Sequence, residues 1–516
     1  MDTAALLSTF DQQNWAYLLP EIFMTVGLLV VLVLNLVTNK KTEAENRSLA
    51  AIATLFTVLA LSALSWVMTQ KLPVTLAPQS VMYGSLTADL FGNLMRVVIL
   101  VGAILSMAIS GQFLQQRTRV VGDFYVLIMG ATLGGMFLAS ANDLIMVFVG
   151  LETLSITSYI LAGYLRKTAK SAEASLKYLV YGGMGTAVFL FGLSMIYGLT
   201  GSTNLHDIAS AMMQYHTLDH PAIFLMLLMT LAALAFKLSV APFHMWTPDV
   251  YDGAPTPVAA FLSVVSKTAA FAVTIRLMVM VFAGFYQWTT LLAILAVLSM
   301  TIGNFVALKQ SNVKRLLAYS TISHAGYMLL GLLIGTAVSM GSLVFYLITY
   351  VFMNIGAFAS VIYFSNLTHS DEISAYQGLV QKQPGLTLSF SLCLLSLAGI
   401  PITAGFFAKF FLFQAVAYSG PGMLWLVIIA LLNSAVSLAY YINIIRMMVV
   451  KEPSKQVEAI PANAGASFML SGAVSCCVLL TLLLGIFASS FLRFSTDAID
   501  QLIHERPQPT VSQATP

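Results

Sequence analysis

Lys237, Lys267 and Lys409 each stand inside a long apolar run, and Glu152 and His324 stand inside two more. On a hydrocarbon-facing helix a lysine costs about 3 kcal/mol on insertion scales and more in simulations. Residues of this kind are therefore expected to face an internal, hydrated path. Amine, carboxyl and imidazole all take up and release protons, so the five together imply a proton relay through apolar surroundings.

The size of such a switch can be set from elementary numbers. An amine with a free pKa near 10.4 cycles near neutral pH only if its surroundings supply roughly 4 kcal/mol, at 1.36 kcal/mol per unit. That is comparable to moving one charge through roughly 150 to 200 mV, at 2.3 kcal/mol per 100 mV. Withdrawal from water favours a neutral amine, and a nearby carboxylate favours an ammonium. Moving Glu152 away from Lys237, or neutralising it, would then let Lys237 pass its proton through Lys267 and His324 to Lys409.

These groups need elements to position them, and composition says which. The chain is 59% hydrophobic and 9% charged, with a mean hydropathy of +0.87. A soluble globule with a charged surface is excluded. Apolar stretches of about 20 residues, each long enough to span a bilayer, number about fourteen. The fold class expected is an all-α polytopic membrane protein. No small-residue cleavage site follows the first stretch, so it reads as a retained span.

Basic residues collect in alternate loops. One set holds Lys40, Lys41 and Arg47; Arg117 and Arg119; Arg166, Lys167 and Lys170; Lys309, Lys314 and Arg315; Lys382; and Arg446, Lys451 and Lys455. The opposite set offers little beyond Lys71, Arg493 and Arg506. By the positive-inside rule the first set is cytoplasmic, and both termini face away from the cytoplasm. The net charge of +3 thus reflects topology, and nothing suggests nucleic-acid binding.

Other titratable groups read more blandly. Asp89 and Arg96 share a helix face and are expected to bridge or bind a neighbour; Glu173 and Lys177 form an i,i+4 pair; Arg276, late in its span, is placed to snorkel. Cys393, Cys476 and Cys477 read as core packing, and His206, His216 and His220 as a solvated loop. No nucleotide, phosphate, CxxC or haem motif is present in a fitting context. No cofactor or metal is expected in this chain, so the driving chemistry must lie elsewhere.

Residues 151–181 repeat weakly 168 positions later: Ser155, Tyr159, Leu161 and Gly163 fall on Ser323, Tyr327, Leu329 and Gly331, and Tyr178-Leu179 on Tyr346-Leu347. Glu152 then overlies Ser320, one turn from His324. A separation of five helices inverts the second copy in the bilayer, an arrangement that puts ion sites at mid-membrane. The seventh and twelfth spans should correspond, and both are interrupted, by Ser239-Val240-Ala241-Pro242 and by Gly399-Ile400-Pro401. Broken helices at matching places point to the ion path. The expected organisation is three spans in 1–122, a first five-helix repeat in 123–284, an inverted second repeat in 285–450, and a last span with a polar tail in 451–516. Polar residues share faces with the titratable ones: Ser155 and Tyr159 with Glu152, Ser320 and Tyr327 with His324, Ser263 and Thr274 with Lys267.

Phe236 to Lys267, FKLSVAPFHMWTPDVYDGAPTPVAAFLSVVSK, resembles the signature of subunit N of NADH-quinone oxidoreductase, an antiporter-like membrane subunit of bacterial respiratory complex I. GLET at Gly150, YSTISHAGYMLLG from Tyr319 and LAGIPITAGFFAKFFLF from Leu397 resemble the same family. Related M subunits would carry glutamate where Lys409 stands, and the ending soon after the fourteenth span reads against an L-type tail. The resemblance implies a proton-translocating subunit of a quinone-reducing translocase in the bacterial inner membrane. It implies Glu152, Lys237, Lys267 and Lys409 as relay members and adds His244 and His324 along a polar axis. Partners would be other antiporter-like membrane subunits and a peripheral arm that oxidises NADH. Flavin and iron-sulfur clusters would reside in those partners, with NADH and quinone as substrates of the whole complex. A related cation/proton antiporter or membrane-bound hydrogenase component is the alternative.

Overall fold

The computed structural model describes residues 15–37, 43–70, 79–213, 221–282, 288–461 and 464–506. Lys40, Lys41, Lys71, His216, His220 and the chain beyond Arg506 lie outside the described residues. Twelve helices among the described residues are long and apolar enough to cross a membrane. Two further crossings are interrupted and built from shorter helices, in the seventh and twelfth places.

In chain order the main helices are α1 (Leu19–Val37), α2 (Glu43–Gln70), α3 (Leu90–Arg117), α4 (Gly122–Ser140), α5 (Leu144–Ala162) and α6 (Ala169–Thr200). The first interrupted crossing is α7 (Pro221–Lys237) followed by a short helix, Trp246–Gly253. Next come α8 (Thr256–Met280), α9 (Trp288–Ala307), α10 (Val313–Leu333) and α11 (Ala337–Thr368). The second interrupted crossing is α12 (Pro384–Ala398) and α13 (Ala404–Tyr418). The chain closes with α14 (Leu424–Val450), α15 (Phe468–Ile486) and α16 (Ala488–His504). A two-stranded hairpin, Gln79–Val81 with Leu86–Ala88, precedes α3.

Polar residues just outside the apolar runs start these helices by accepting orphan amides. Asp143 accepts from Ile145 N at the head of α5, and Asn312 from Lys314 N and Arg315 N at the head of α10. The two caps also form matching bridges, Asp143 with Asn204 and Asn312 with Glu372. Gly134 of α4 lies against the backbone of Leu154 and Gly150, as Gly303 of α9 lies against that of Ser323 and Tyr319. A side chain at either glycine would push the paired helices apart.

The caps and the glycine contacts correspond at 169 residues, one more than the spacing of the sequence identities, while the bridge partners Asn204 and Glu372 keep that spacing of 168. Glu152 therefore stands over Thr321, and Ser155 over His324. The difference is one helical position, which a handful of identities among apolar helices does not resolve.

Helices α8, α10 and α11 are almost wholly enclosed, whereas α1, α2, α6, α14 and α15 present apolar side chains outward. Lipid-facing helices thus surround a centre that carries the polar residues, as burial of costly groups requires. The stretch after the last span is more than a polar tail: α16 is amphipathic and packs on α11 and α3. Cys393 and Cys477 are buried, but Cys476 is exposed on the outer face of α15, so it does not serve core packing.

Candidate functional site

Both interruptions hold backbone that a straight helix would pair. Helix α7 ends at Lys237, and Trp246 Nε1 donates to Phe236 O at 3.0 Å while Ala241 N donates to Ser299 Oγ at 2.9 Å. Ser239 has φ 62°, and in the second interruption Ile402 has φ 79°. Side-chain-bearing residues are rarely found in this left-handed region, and such strain gathers at functional places. Gly399, at φ 89°, ends α12 and lies under the Lys409 side chain.

All three lysines are buried, Lys237 at 5%, Lys267 at 1% and Lys409 at 4% exposure. Each amine is held by neutral oxygens. Lys237 Nζ donates to Ser155 Oγ at 2.8 Å and stands 5.6 Å from the Tyr178 ring centroid. Lys267 Nζ donates to Thr321 O at 2.8 Å. Lys409 Nζ donates to Ala398 O at 2.9 Å and Ser434 Oγ at 3.1 Å, 5.0 Å from the Tyr327 ring centroid. Ala398 is the last residue of α12, so this ammonium sits at the negative end of a half-helix dipole. Lys267 follows a π-helical turn, Leu262–Ser266, of the kind often found at functional sites. Asn354 Nδ2 donates to Ser263 Oγ within that turn, at 2.6 Å.

Glu152 and Lys237 are not in ion-pair contact in this structure. Among the described residues no carboxylate lies within 4.0 Å of any of the three amines. Thr186 Oγ1 donates to Glu152 Oε1 at 2.7 Å and so holds the carboxylate aside. Thr186, Ser155, Tyr159 and Lys237 line one narrow cleft. Thr186, which holds Glu152, and Ser155, which holds Lys237, thus stand on the same cleft, so hydroxyls lie between the two charged groups. Glu152 is partly exposed on the lateral face of the chain.

His324 lies at the centre of a web of tyrosines. Its Nδ1 is 2.7 Å from Tyr346 Oη and its Nε2 is 3.3 Å from Tyr441 Oη. A neutral imidazole donates from one nitrogen and accepts at the other, so the two hydroxyls complement either tautomer. Tyr441 Oη also meets Ser320 Oγ. Thr321, whose carbonyl holds Lys267, receives a hydrogen bond from Tyr350 Oη at 3.0 Å, and the Tyr350 ring packs 5.3 Å from that of His324. On the far side, Asn304 donates to Tyr327 Oη at 3.1 Å and accepts from Tyr440 Oη at 3.0 Å. Lys267 reaches this web through Thr321, one turn of α10 from His324, whereas Lys409 meets it only at the face of the Tyr327 ring, without a hydrogen bond to it.

Lys237 and Lys267 have no direct contact, and Glu152, Lys237 and Tyr178 form a separate cluster. His244 lies in the first interruption, and its Nδ1 has no protein hydrogen-bond partner. It touches no other relay residue. Sequence reasoning missed Thr186, Thr321, Tyr346, Tyr350, Tyr440, Tyr441 and Asn304. Tyr346 did appear as one of the repeat identities, and the hydroxyl count of α10 was the remaining signal.

Of the remaining charges, Asp89 and Arg96 take the second of their two expected arrangements, each binding a neighbour and not the other: Arg96 Nη1 pairs with Glu21 Oε1 at 2.6 Å, and Asp89 Oδ2 with Arg276 Nη2 at 2.7 Å. Arg276 does not snorkel, being 1% exposed, because Asp89 and Ala139 O hold its Nη2 inside. Lys177 pairs with Glu173 as expected, and also with Asp249 at 2.7 Å. Among the described residues no three His, Cys, Asp or Glu side chains converge to hold a metal ion.

The comparisons with known proteins agree on one family. The family model described as NADH:quinone oxidoreductase/Mrp antiporter, TM, matches residues 141–437. The chain is similar to NAD(P)H-quinone oxidoreductase subunit 2 of Gloeobacter violaceus, 46% identical over 449 residues, covering 86% of this chain and 84% of that one. A chain of respiratory complex I from Thermus thermophilus, solved with bound aureothin, is 31% identical with a TM-score of 0.75, covering 92% of this chain and 98% of its own. A chain of an archaeal membrane-bound sulfane sulfur reductase superposes with a TM-score of 0.83 at 26% identity, over 95% of this chain and 98% of its own.

Proposed function

The chain belongs to the NADH:quinone oxidoreductase/Mrp antiporter membrane family, and on that premise we propose that it is the subunit termed N in bacterial complex I and 2 in the cyanobacterial relatives. It is a proton-translocating membrane subunit of an NAD(P)H-quinone oxidoreductase, working beside other membrane subunits and a peripheral NAD(P)H-oxidising arm. Flavin and iron-sulfur chemistry belongs to that arm. The chain lies in the bacterial inner membrane with both termini on the non-cytoplasmic side, a reading that the basic loops support.

The observation that carries this reading is the set of three enclosed amines held by hydroxyl and carbonyl oxygens alone. A proton leaving one of them need not break an ion pair, and the tyrosine hydroxyls around His324 both donate and accept. Glu152 acts on Lys237 at a distance: its approach stabilises the ammonium, and its capture by Thr186 withdraws that stabilisation. The released proton passes to Lys267 and through His324 to Lys409. His244 borders the first interruption as a lesser member.

The same fold serves other membrane complexes, so the partner set is the discriminating test. Affinity purification through this chain is expected to bring down an NAD(P)H-oxidising, quinone-reducing assembly whose turnover moves protons in sealed vesicles. Co-purification of a nickel hydrogenase or of an antiporter assembly lacking that arm would replace this assignment with the alternative.

A further inference from the structure

We propose that the recess between the α3–α4 and α5–α6 connections binds the headgroup of an anionic phospholipid, with an acyl chain in the apolar groove beneath it. The recess is a cavity of about 1120 Å³ with four basic side chains, Arg117, Arg119, Arg166 and Lys167, on its wall and Asp123 as its one acid. It exceeds the roughly 300–1,000 Å³ of ordinary small-molecule pockets. Asp123 is engaged by Asn35 Nδ2. Arg117 is turned inward onto Asn366 and Ser365. Among the described residues no carboxylate lies within 4.0 Å of Arg119, Arg166 or Lys167. Three cations therefore line one cavity with no carboxylate in contact with them, its single acid, Asp123, being held by Asn35, and a phosphodiester would supply the missing anion. Guanidinium groups match its oxygens in paired hydrogen bonds.

The neighbouring groove decides for a lipid over a free anion. It shares Asp123, Tyr164 and Arg166 with the recess and continues along Leu32, Val126, Leu127 and Ile160. These lie on α1, α4 and α5, where Val33 and Ile160 are about half exposed on the outer face. A basic chamber that opens downward into a lipid-facing apolar channel fits a molecule with a phosphate at one end and a hydrocarbon chain at the other. The position agrees with the positively charged face, where anionic headgroups meet basic residues.

The test uses the assembled complex in phosphatidylcholine nanodiscs carrying a trace of phosphatidylglycerol or of phosphatidylcholine, each with a photoactivatable group on one acyl chain. The anionic probe is expected to label the segments around Leu127 and Ile160 in preference to the zwitterionic probe. Arg119→Gln, Arg166→Gln and Lys167→Gln together should reduce that preference by about fivefold per charge removed. Leu127→Trp, which fills the groove and alters no charge, should reduce labelling by both probes. Arg166→Gln alone is read in the same way if the triple variant does not assemble. Equal labelling by the two probes, a preference unchanged in the basic variants, or cross-linking of Arg166→Cys to a neighbouring subunit in place of lipid would overturn the proposal.

Discussion

Buried arginines and buried lysines are held in opposite ways in this molecule. Arg96 and Arg276, where α1, α3 and α8 begin or end, each have a carboxylate within 2.7 Å. Lys237, Lys267 and Lys409, at mid-crossing, have only hydroxyl and carbonyl oxygens. A guanidinium does not lose its proton in proteins, so a buried one needs a permanent anion. An amine that changes charge is better served by neutral oxygens, which favour the ammonium without committing the site to it. The first arrangement holds helices together; the second, on the proposed relay, would leave a proton movable.

The largest effect should come from breaking the first arrangement. Asp89→Ala leaves Arg276 buried and unpaired and is expected to cost about 3–5 kcal/mol. Native gels should show the assembled complex lost; normal assembly would show that the pair is not structural. The comparison is sharpened next by Lys267→Arg, which keeps the cation but withholds its proton. The proton-transfer step should slow roughly hundredfold with assembly intact, as general acid–base removal does. Vesicle acidification assays would read this, and normal pumping would remove Lys267 from the path.

A smaller effect is expected from Tyr441→Phe, which takes away the hydroxyl shared by Ser320 and His324. One unmet buried hydrogen bond corresponds to about 1–3 kcal/mol, so thermal denaturation should show a loss of that order, and pumping at matched assembly should fall as well; unchanged pumping would take Tyr441 out of the path. The smallest concerns the closing helix. Burial, with Asp89 nearby and against the pull of Arg276, pushes the Glu505 carboxyl from its ordinary 4.5 up to about 8. Docked α16 then keeps a proton that the undocked helix loses, so docking weakens as pH rises through that window. Hydrogen exchange of α16, corrected for intrinsic rate, should show protection falling from pH 5.5 to 8.5 in the wild type and flat in Glu505→Gln.

Much of this was legible because charge in an apolar run is costly enough to be conspicuous. Lys237, Lys267 and Lys409 could be singled out for that reason, and Pro242, Gly399 and Pro401 announced the two interruptions. The tyrosines could not, since Tyr346 or Tyr441 in an apolar run is indistinguishable from packing until its hydroxyl finds a partner. Nor could the arginine partners: Glu21 and Arg96 are 75 residues apart, and the shared face of Asp89 and Arg96 allowed a bridge or a neighbour without naming that neighbour, which for Asp89 is Arg276 on α8 while its other oxygen caps α3. Thr186 was hidden because it acts only through the geometry of a neighbouring helix. Amphipathic α16 was obscured by its mixed composition.

The central claim is that an amine without a fixed counter-ion carries the proton. It is tested most directly by measuring NAD(P)H-driven proton translocation and quinone reduction side by side, in sealed vesicles, for Lys237→Met against wild type at matched assembly. The account predicts that translocation is lost, or falls with the reductase rate, while the complex stays assembled. Unchanged translocation at an unchanged reductase rate would contradict it and reduce Lys237 to a structural residue.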